Sequence, residues 1–285
     1  MAQQALIHQE NLWKAFLVFL VPLIVTNILQ SLSGTVNTIF VGQMLGVNAI
    51  AAVAVFFPIL FWLVAFVIGL SAGSTVLIGQ AWGGKNIEKV RCVVGSTLFM
   101  TLIGGSLIAL FGVIFAENIL LALGTDPDVM HLSLPYVQWM LVGSPLIFIY
   151  IVYTSILRGV GDSTTPLFAS VITIGVGLVV TPVLIGGYFG FPKMGIISPA
   201  LATILGNLAV LVFLILYLKR KQHPLKLDWA LLKNIRHQPQ LSKMILRLGV
   251  PTGVQMVTTS LAGLVIVGLV NRYGAEATAA YGAVN

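Results

Sequence analysis

Uncharged polar side chains within long apolar stretches are the residues of this sequence best suited to bind a solute. They occur at Asn27, Gln30, Tyr150, Asn207 and Gln255. A polar group that faces lipid is costly, so we expect these side chains to face the protein interior or a water-filled cavity. There they either hydrogen-bond to a neighbouring helix, the ordinary role of about half of such residues, or contact a solute.

Signatures of catalysis and of metal binding are few. The sequence contains no His-Glu-x-x-His, no Gly-x-Ser-x-Gly and no P-loop pattern. Its four histidines fall in termini or loops, and the single cysteine, Cys92, forms neither an internal disulfide nor a cysteine metal cluster. We therefore expect no enzyme, no metal site and no cofactor. Without a P-loop, transport must run on an ion gradient, of protons or sodium, or downhill.

The apolar stretches that hold these polar residues predict membrane-spanning helices. The chain is 58% hydrophobic and only 8% charged, whereas soluble domains carry about a quarter charged residues. Residues 15–84 contain no charged side chain at all, and a spanning helix needs ~20 apolar residues. Barrel strands alternate apolar and polar residues, which these continuous runs do not. The sequence therefore predicts an all-α integral membrane protein.

Seven spans are predicted, and an eighth begins near residue 275. Turn signals separate them at Gly46, at Gly83 and Gly84, in the acidic stretch 124–128 and at residues 191–193. The predicted spans are residues 15–38, 51–77, 92–115, 135–157, 167–189, 196–218 and 248–270.

Basic residues predict the orientation of the chain. The net charge of +7 arises from short loops that flank the apolar segments, so it indicates topology rather than a nucleic-acid partner. Only Lys193 and Arg272 fall on the opposite side from the rest. By the positive-inside rule the N-terminus is cytoplasmic and the turn at Asp126 is external. The majority side holds Lys14, Lys85, Lys89, Arg91, Arg158 and the basic residues of 219–247.

The start of the sequence is repeated near its end. Val-Pro-x-x-Val occurs at residues 21–25 and 250–254, and Ser-Leu-x-Gly at residues 31–34 and 260–263. An even number of helices separates the copies, so both have the same orientation, which is the parallel-repeat plan of several transporter classes. We expect a six-helix lobe over residues 1–218, a cytoplasmic linker over 219–243, and the start of a second lobe over 244–285. The native gene product is then expected to continue for four to five more helices, twelve in all.

The sharpest local pattern is Leu-Arg-Gly-Val-Gly-Asp-Ser-Thr-Thr-Pro at residues 157–166. Its glycines predict the end of one helix, and Thr165 before Pro166 predicts the N-cap and first residue of the next. This loop also resembles the one that marks the multidrug and toxic compound extrusion (MATE) family. The positions that carry the resemblance are Arg158, Gly159, Gly161, Asp162, Thr165 and Pro166.

Three further strings resemble the same family, at residues 35–42, 79–84 and 190–195, so the similarity covers nearly the whole chain. The resemblance implies two six-helix lobes arranged as a V. It also implies a bacterial inner-membrane antiporter, with several spans, that exports cationic amphipathic drugs against protons or sodium. Its partners would be small amphiphilic substrates and membrane lipids, and we expect the full-length protein to be a monomer.

The resemblance is broken at the expected carboxylates. Asn37 stands where the family commonly has an aspartate, and Gly177 and Thr181 stand where it has Asn-x-x-x-Asp, while Thr203 matches the expected threonine. Thr259 aligns where many relatives have a glutamate. Since an amide does not titrate, this lobe cannot couple protons by that route. The oxygens of Asn37 and Thr203 could still bind sodium weakly, and coupling carboxylates are then expected in the second lobe.

Two rival functions remain open at this point. A flippase for a lipid-linked precursor, from the same superfamily, would favour cationic residues in mid-span to meet phosphate, and the sequence has none there. A membrane scaffold or receptor without transport activity is the other rival. Spans that contain prolines and polar residues favour transport over that second alternative.

Overall fold

The computed structural model describes residues 12–226 and 238–271, and these are helical almost throughout, without strands. Two 3₁₀ turns, Tyr188–Gly190 and Gly195–Ile197, join the sixth and seventh helices. The α-helices are α1 Leu12–Leu45, α2 Val47–Ala54, α3 Phe56–Gly83, α4 Ile87–Ala122, α5 Pro127–Gly159, α6 Thr164–Gly186, α7 Ser198–Arg220 and α8 Pro239–Asn271.

Six segments of the described residues are helical, long and apolar enough to cross a membrane. They correspond in order to the first six predicted spans, which confirms the multi-pass all-α fold. The seventh predicted span, residues 248–270, lies within α8, and the predicted eighth lies outside the described residues. The six segments are Phe16–Leu45, Val47–Gly83, Ile87–Ala122, Pro127–Gly159, Thr164–Gly186 and Gly195–Arg220.

Polar caps make α4 and α5 begin before the predicted spans. The side chain of Asn86 accepts a hydrogen bond from the backbone N–H of Lys89 at the start of α4. At the start of α5, Asp126 accepts from the N–H of Asp128, with Pro127 as the first helical residue. These side chains satisfy N–H groups that have no partner within the helix. The helix α6 ends three residues before the predicted 189, because Gly187 adopts a left-handed φ of 70°.

The predicted start of α6 at Thr165 and Pro166 is wrong. The helix begins at Thr164 with Ser163 at the N-cap position, and the Asp162 carboxylate accepts the hydrogen bonds of its first turn. One carboxylate oxygen accepts from the N–H groups of Thr164 and Thr165 at 3.2 and 3.0 Å, and the other accepts from the Thr165 hydroxyl at 2.5 Å. A carboxylate is favoured here because the helix N-terminus is positive. Pro166 is tolerated within the first turn, where its missing N–H has no helical partner in any case.

The helix α5 runs through the middle of the lobe and packs against α2, α3, α4 and α7. Leu70, Val94, Val152, Ile156 and Leu214 belong to the main core cluster, all at most 3% exposed. By contrast, α1 packs mainly on α6 and α2, and only 6% of its most apolar stretch is buried, against 56% for that of α5. Most of α1 therefore lies on the outside of the described chain.

Glycines bring α3 and α8 into backbone contact. Gly69 and Gly73 on α3 face Gly249 and Gly253 on α8, so each helix carries one Gly-x-x-x-Gly pair, the spacing that allows close helix approach in membranes. A Cβ built on Gly73 would lie 2.2 Å from the carbonyl oxygen of Ile245, and one on Gly249 would lie 2.2 Å from that of Gly69. The first helix after the linker is thus packed directly on the six-helix lobe.

The described start of the linker is docked on the lobe. Arg91 donates from Nε to the carbonyl of Pro224 at 3.2 Å, and the Tyr153 hydroxyl donates to the carbonyl of Leu225. His223 Nδ1 accepts from the N–H of Leu225 at 3.2 Å. Burial lowers the pKa of His223, Asp162 opposes this, and the charge of Lys221 adds to it. Residues 227–237 of the predicted linker lie outside the described residues.

Candidate functional site

A small polar cavity of about 150 Å³ lies between α1, α6 and α7. It brings together four positions that the family resemblance implies as site residues and that are far apart in the chain: Asn37, Gly177, Thr181 and Thr203. Apolar side chains such as Phe40 and Leu178 complete its wall. The cavity has room for a few water molecules, at about 30 Å³ each, or for a cation, but not for a drug, which needs roughly 300 Å³ or more.

The polar atoms of this cavity are uncharged oxygens and nitrogens. The Asn37 side chain is half-buried and makes no hydrogen bond among the described residues. The Thr203 hydroxyl donates to the carbonyl of Pro199 at 2.9 Å, so its oxygen lone pairs remain available. Thr181 is buried, at 1% exposure. No charged side chain lines the cavity, so it offers cation ligands without the carboxylate that would make binding tight.

A second cavity, of about 210 Å³, lies between α1, α3, α5 and α6. Gln30 and Tyr150, both predicted site residues, line it together with Thr154, Arg158 and Ser170. Arg158 was predicted to lie in a loop, and its part in this cavity was not predicted. The spacing 150, 154 and 158 was a usable signal, because residues four apart lie on the same face of a helix.

The other predicted site residues do not meet in either cavity. Asn27, Gln255 and Thr259 are exposed, and the Thr259 hydroxyl donates to the carbonyl of Gln255 at 2.9 Å. Asn207 is 3% exposed, and its amide donates to the carbonyl of Thr203 at 2.8 Å, within its own helix. Asn207 is therefore placed as an internal hydrogen-bonding residue next to Thr203 rather than as part of the cavity wall.

A third candidate, which the sequence analysis did not identify, is an apolar groove of about 470 Å³ along the crossing of α3 and α8. Trp62 and Phe66 from α3, and Val254 and Thr258 from α8, form its wall. Trp62 is 69% exposed, so the face of its indole ring is accessible. This volume falls in the range of drug-sized pockets.

The fold and its cavities define a multi-pass helical membrane protein with internal polar sites. A family model described as MatE matches residues 22–183, which is more than half of the chain. The chain therefore belongs to the MATE family, as its loop sequences predict.

Curated relatives agree with this assignment. The chain is 41% identical over 288 aligned residues to "Probable multidrug resistance protein YoeA" of Bacillus subtilis, covering 100% of this chain and 62% of that protein. It is 23% identical to "Multidrug export protein MepA" of Staphylococcus haemolyticus over 96% of this chain and 59% of that protein. The chain thus spans about three fifths of the length of these relatives.

A solved structure shows the same fold. The outward-facing conformation of a multidrug resistance MATE family transporter of the MOP superfamily superposes with a TM-score of 0.79 at 24% identity, over 90% of this chain and 55% of that one. The described lobe and α8 therefore correspond to the N-terminal portion of the MATE fold.

Proposed function

We propose that the full-length protein is an ion-coupled multidrug antiporter that exports amphiphilic organic cations across the bacterial inner membrane. The observation that carries the proposal is the 41% identity, along the whole chain, to a relative named as a probable multidrug resistance protein. The structure supports it with a lobe that has a drug-sized apolar groove and separate small polar cavities.

The α3–α8 groove suits a flat, hydrophobic cation. Its wall is apolar apart from Thr258, and the ring face of Trp62 can attract a cation through its π electrons. In the complete transporter we expect the second lobe to close the open side of this groove. A neutral groove with an aromatic wall accommodates many related cations without a dedicated ion pair, which agrees with export of several drugs.

Coupling to sodium is favoured over coupling to protons within this lobe. The cavity at Asn37, Thr181 and Thr203 offers oxygen ligands, which suit a hard cation, but no group that titrates near neutral pH. Affinity for sodium should be weak because no carboxylate takes part. Proton coupling, if present, must therefore use a carboxylate in the remainder of the protein.

The crossing of α3 and α8 supports alternating access by movement between lobes. The contact joins the last part of α3 to the first part of α8, through Gly73 and Ile245. In the predicted orientation both parts lie toward the cytoplasm. The contact continues from Gly73 and Ile245 to Ala65 and Gly253, near the middle of both helices, so it joins the lobes from the cytoplasmic side to mid-membrane and must loosen when the transporter opens inward.

The test is efflux of a fluorescent organic cation from cells that express the full-length gene, with the proton and sodium gradients collapsed separately. We expect efflux that is lost with the sodium gradient and kept when only the proton gradient is collapsed. Loss of efflux when only the proton gradient is collapsed would indicate that the coupling group is a carboxylate of the second lobe. No efflux under any gradient, with the protein present in the membrane, would refute drug export and favour the flippase alternative.

A further inference from the structure

The cavity between α1, α3, α5 and α6 contains an arginine that has no acidic partner. Arg158 is half-buried in the last turn of α5, and its Nη2 donates to the hydroxyl of Ser155 at 3.0 Å. Among the described residues no carboxylate lies within ion-pair distance of it. The nearest acidic residue along the chain, Asp162, uses both of its oxygens to cap α6. The positive charge therefore remains unpaired at the wall of a cavity.

The other polar groups of this cavity can supply hydrogen-bond donors. The hydroxyls of Tyr150 and Ser170 are 3.2 Å apart, and either can be the donor. Two hydroxyls share two protons, and their mutual bond uses only one, so one O–H can be directed to a ligand. Gln30, on the opposite wall, makes no hydrogen bond among the described residues, and its amide can add a further donor.

Thr154 is the one hydroxyl of this cavity whose proton is already used. The Thr154 hydroxyl donates to carbonyls of its own helix at 2.9 and 3.0 Å, so it has no proton left for a ligand. The cavity thus combines one guanidinium with hydroxyl and amide donors and has no carboxylate among its lining residues. A cation, whether sodium or a drug, is repelled by this set, while an anion is attracted.

We propose that this cavity binds a single oxyanion, a phosphate or carboxylate group, which Arg158 holds by its charge and Tyr150 and Ser170 hold by a hydroxyl. A guanidinium is planar and matches two oxygens of such a group. The volume of about 210 Å³ accommodates one such group but not a drug-sized molecule. Binding also gives a partner to a half-buried charge, and a ligand that binds only the folded protein stabilises it.

The oxyanion can come from a free ion or from a lipid headgroup, and two measurements separate these sources. In the first, purified full-length protein is titrated with inorganic phosphate at constant ionic strength, and its melting temperature is followed. In the second, retention of phosphatidylglycerol is followed by native mass spectrometry. We expect saturable binding in at least one arm. A rise in the melting temperature with free phosphate identifies a small-ion site. Retention of phosphatidylglycerol without that rise identifies a lipid site.

Variants test the residues that carry the inference. Arg158→Gln should raise the dissociation constant by at least about 30-fold, and Tyr150→Phe by about tenfold. Lys193→Gln removes one exposed positive charge in another loop and should leave binding unchanged. If Arg158→Gln does not fold, the dissociation constant of Tyr150→Phe tests the proposal. Equal binding by wild type and these cavity variants, or no binding by wild type in either measurement, would overturn the proposal. Drug efflux is measured separately, so failure of the oxyanion site leaves the proposed drug export standing.

Discussion

The α3–α8 crossing yields the sharpest structural prediction, the effect of Gly73→Ala. The new Cβ would lie 2.2 Å from the carbonyl oxygen of Ile245 and 3.0 Å from the backbone nitrogen of Gly249. Real Cβ atoms essentially never approach another heavy atom closer than 3.0 Å, so the helices must separate by about 0.8 Å. Because the opposing atoms belong to the backbone, no rotamer change relieves the clash, and overpacking of this kind costs about 3 kcal/mol, the upper end of its usual range.

The loss of stability in Gly73→Ala is measured as a change in the free energy of unfolding of the full-length protein. The protein in dodecyl maltoside micelles is titrated with SDS, and unfolding is followed by tryptophan fluorescence. Gly175→Ala is the matched control, because a Cβ on Gly175 meets nothing within 4 Å and alanine is the better helix former. We expect the control protein to be as stable as wild type or slightly more stable. A Gly73→Ala protein as stable as the Gly175→Ala protein would refute the tight crossing.

Three further predictions concern the groove, the polar cavity and the linker. Trp62→Ala should reduce efflux of an organic cation about tenfold through lost ring contact, while Trp139→Ala, another exposed indole outside the groove, should not. Asn37→Asp places a carboxylate in the small cavity and should strengthen sodium-dependent stabilisation and add pH dependence; no change in either would contradict the cavity assignment. Burial lowers the pKa of His223 in the folded protein, so the unfolded chain binds the proton more readily. The stability that neutral His223 contributes to the fold is complete above about pH 6.5, the pKa of a free histidine. It is lost as pH falls through the lowered pKa of the folded state. Hydrogen exchange at the Leu225 amide, corrected for its intrinsic rate, should therefore accelerate toward pH 5 in wild type and stay flat in His223→Gln, and parallel profiles would contradict this.

The membrane spans were predictable because long charge-free runs are dictated by the bilayer itself. Residues 15–84 already fix the first two crossings and the choice of helix over barrel. The ends were less predictable, since they depend on which nearby side chain caps the helix. At the start of α6, Asp162 rather than Thr165 takes that role, because a carboxylate interacts more strongly with the helix N-terminus.

The sites depend on contacts between distant parts of the chain, and only some were accessible from sequence. Asn37, Thr181 and Thr203 were named through the family resemblance, and their convergence in one cavity required the packing of α1, α6 and α7. Each Gly-x-x-x-Gly pair is visible in the sequence, but nothing local shows that Gly73 and Gly249 face each other. Arg158 was assigned to a loop, and its access to a cavity depends on α1 and α3.

Transport by the purified full-length protein in liposomes tests the central claim most directly. A fluorescent organic cation is loaded on one side, and a sodium gradient or a proton gradient is imposed from the other. We predict cation movement against the inward flow of sodium, reduced in Trp62→Ala. Correctly inserted, folded protein that moves no organic cation under either gradient would contradict the account.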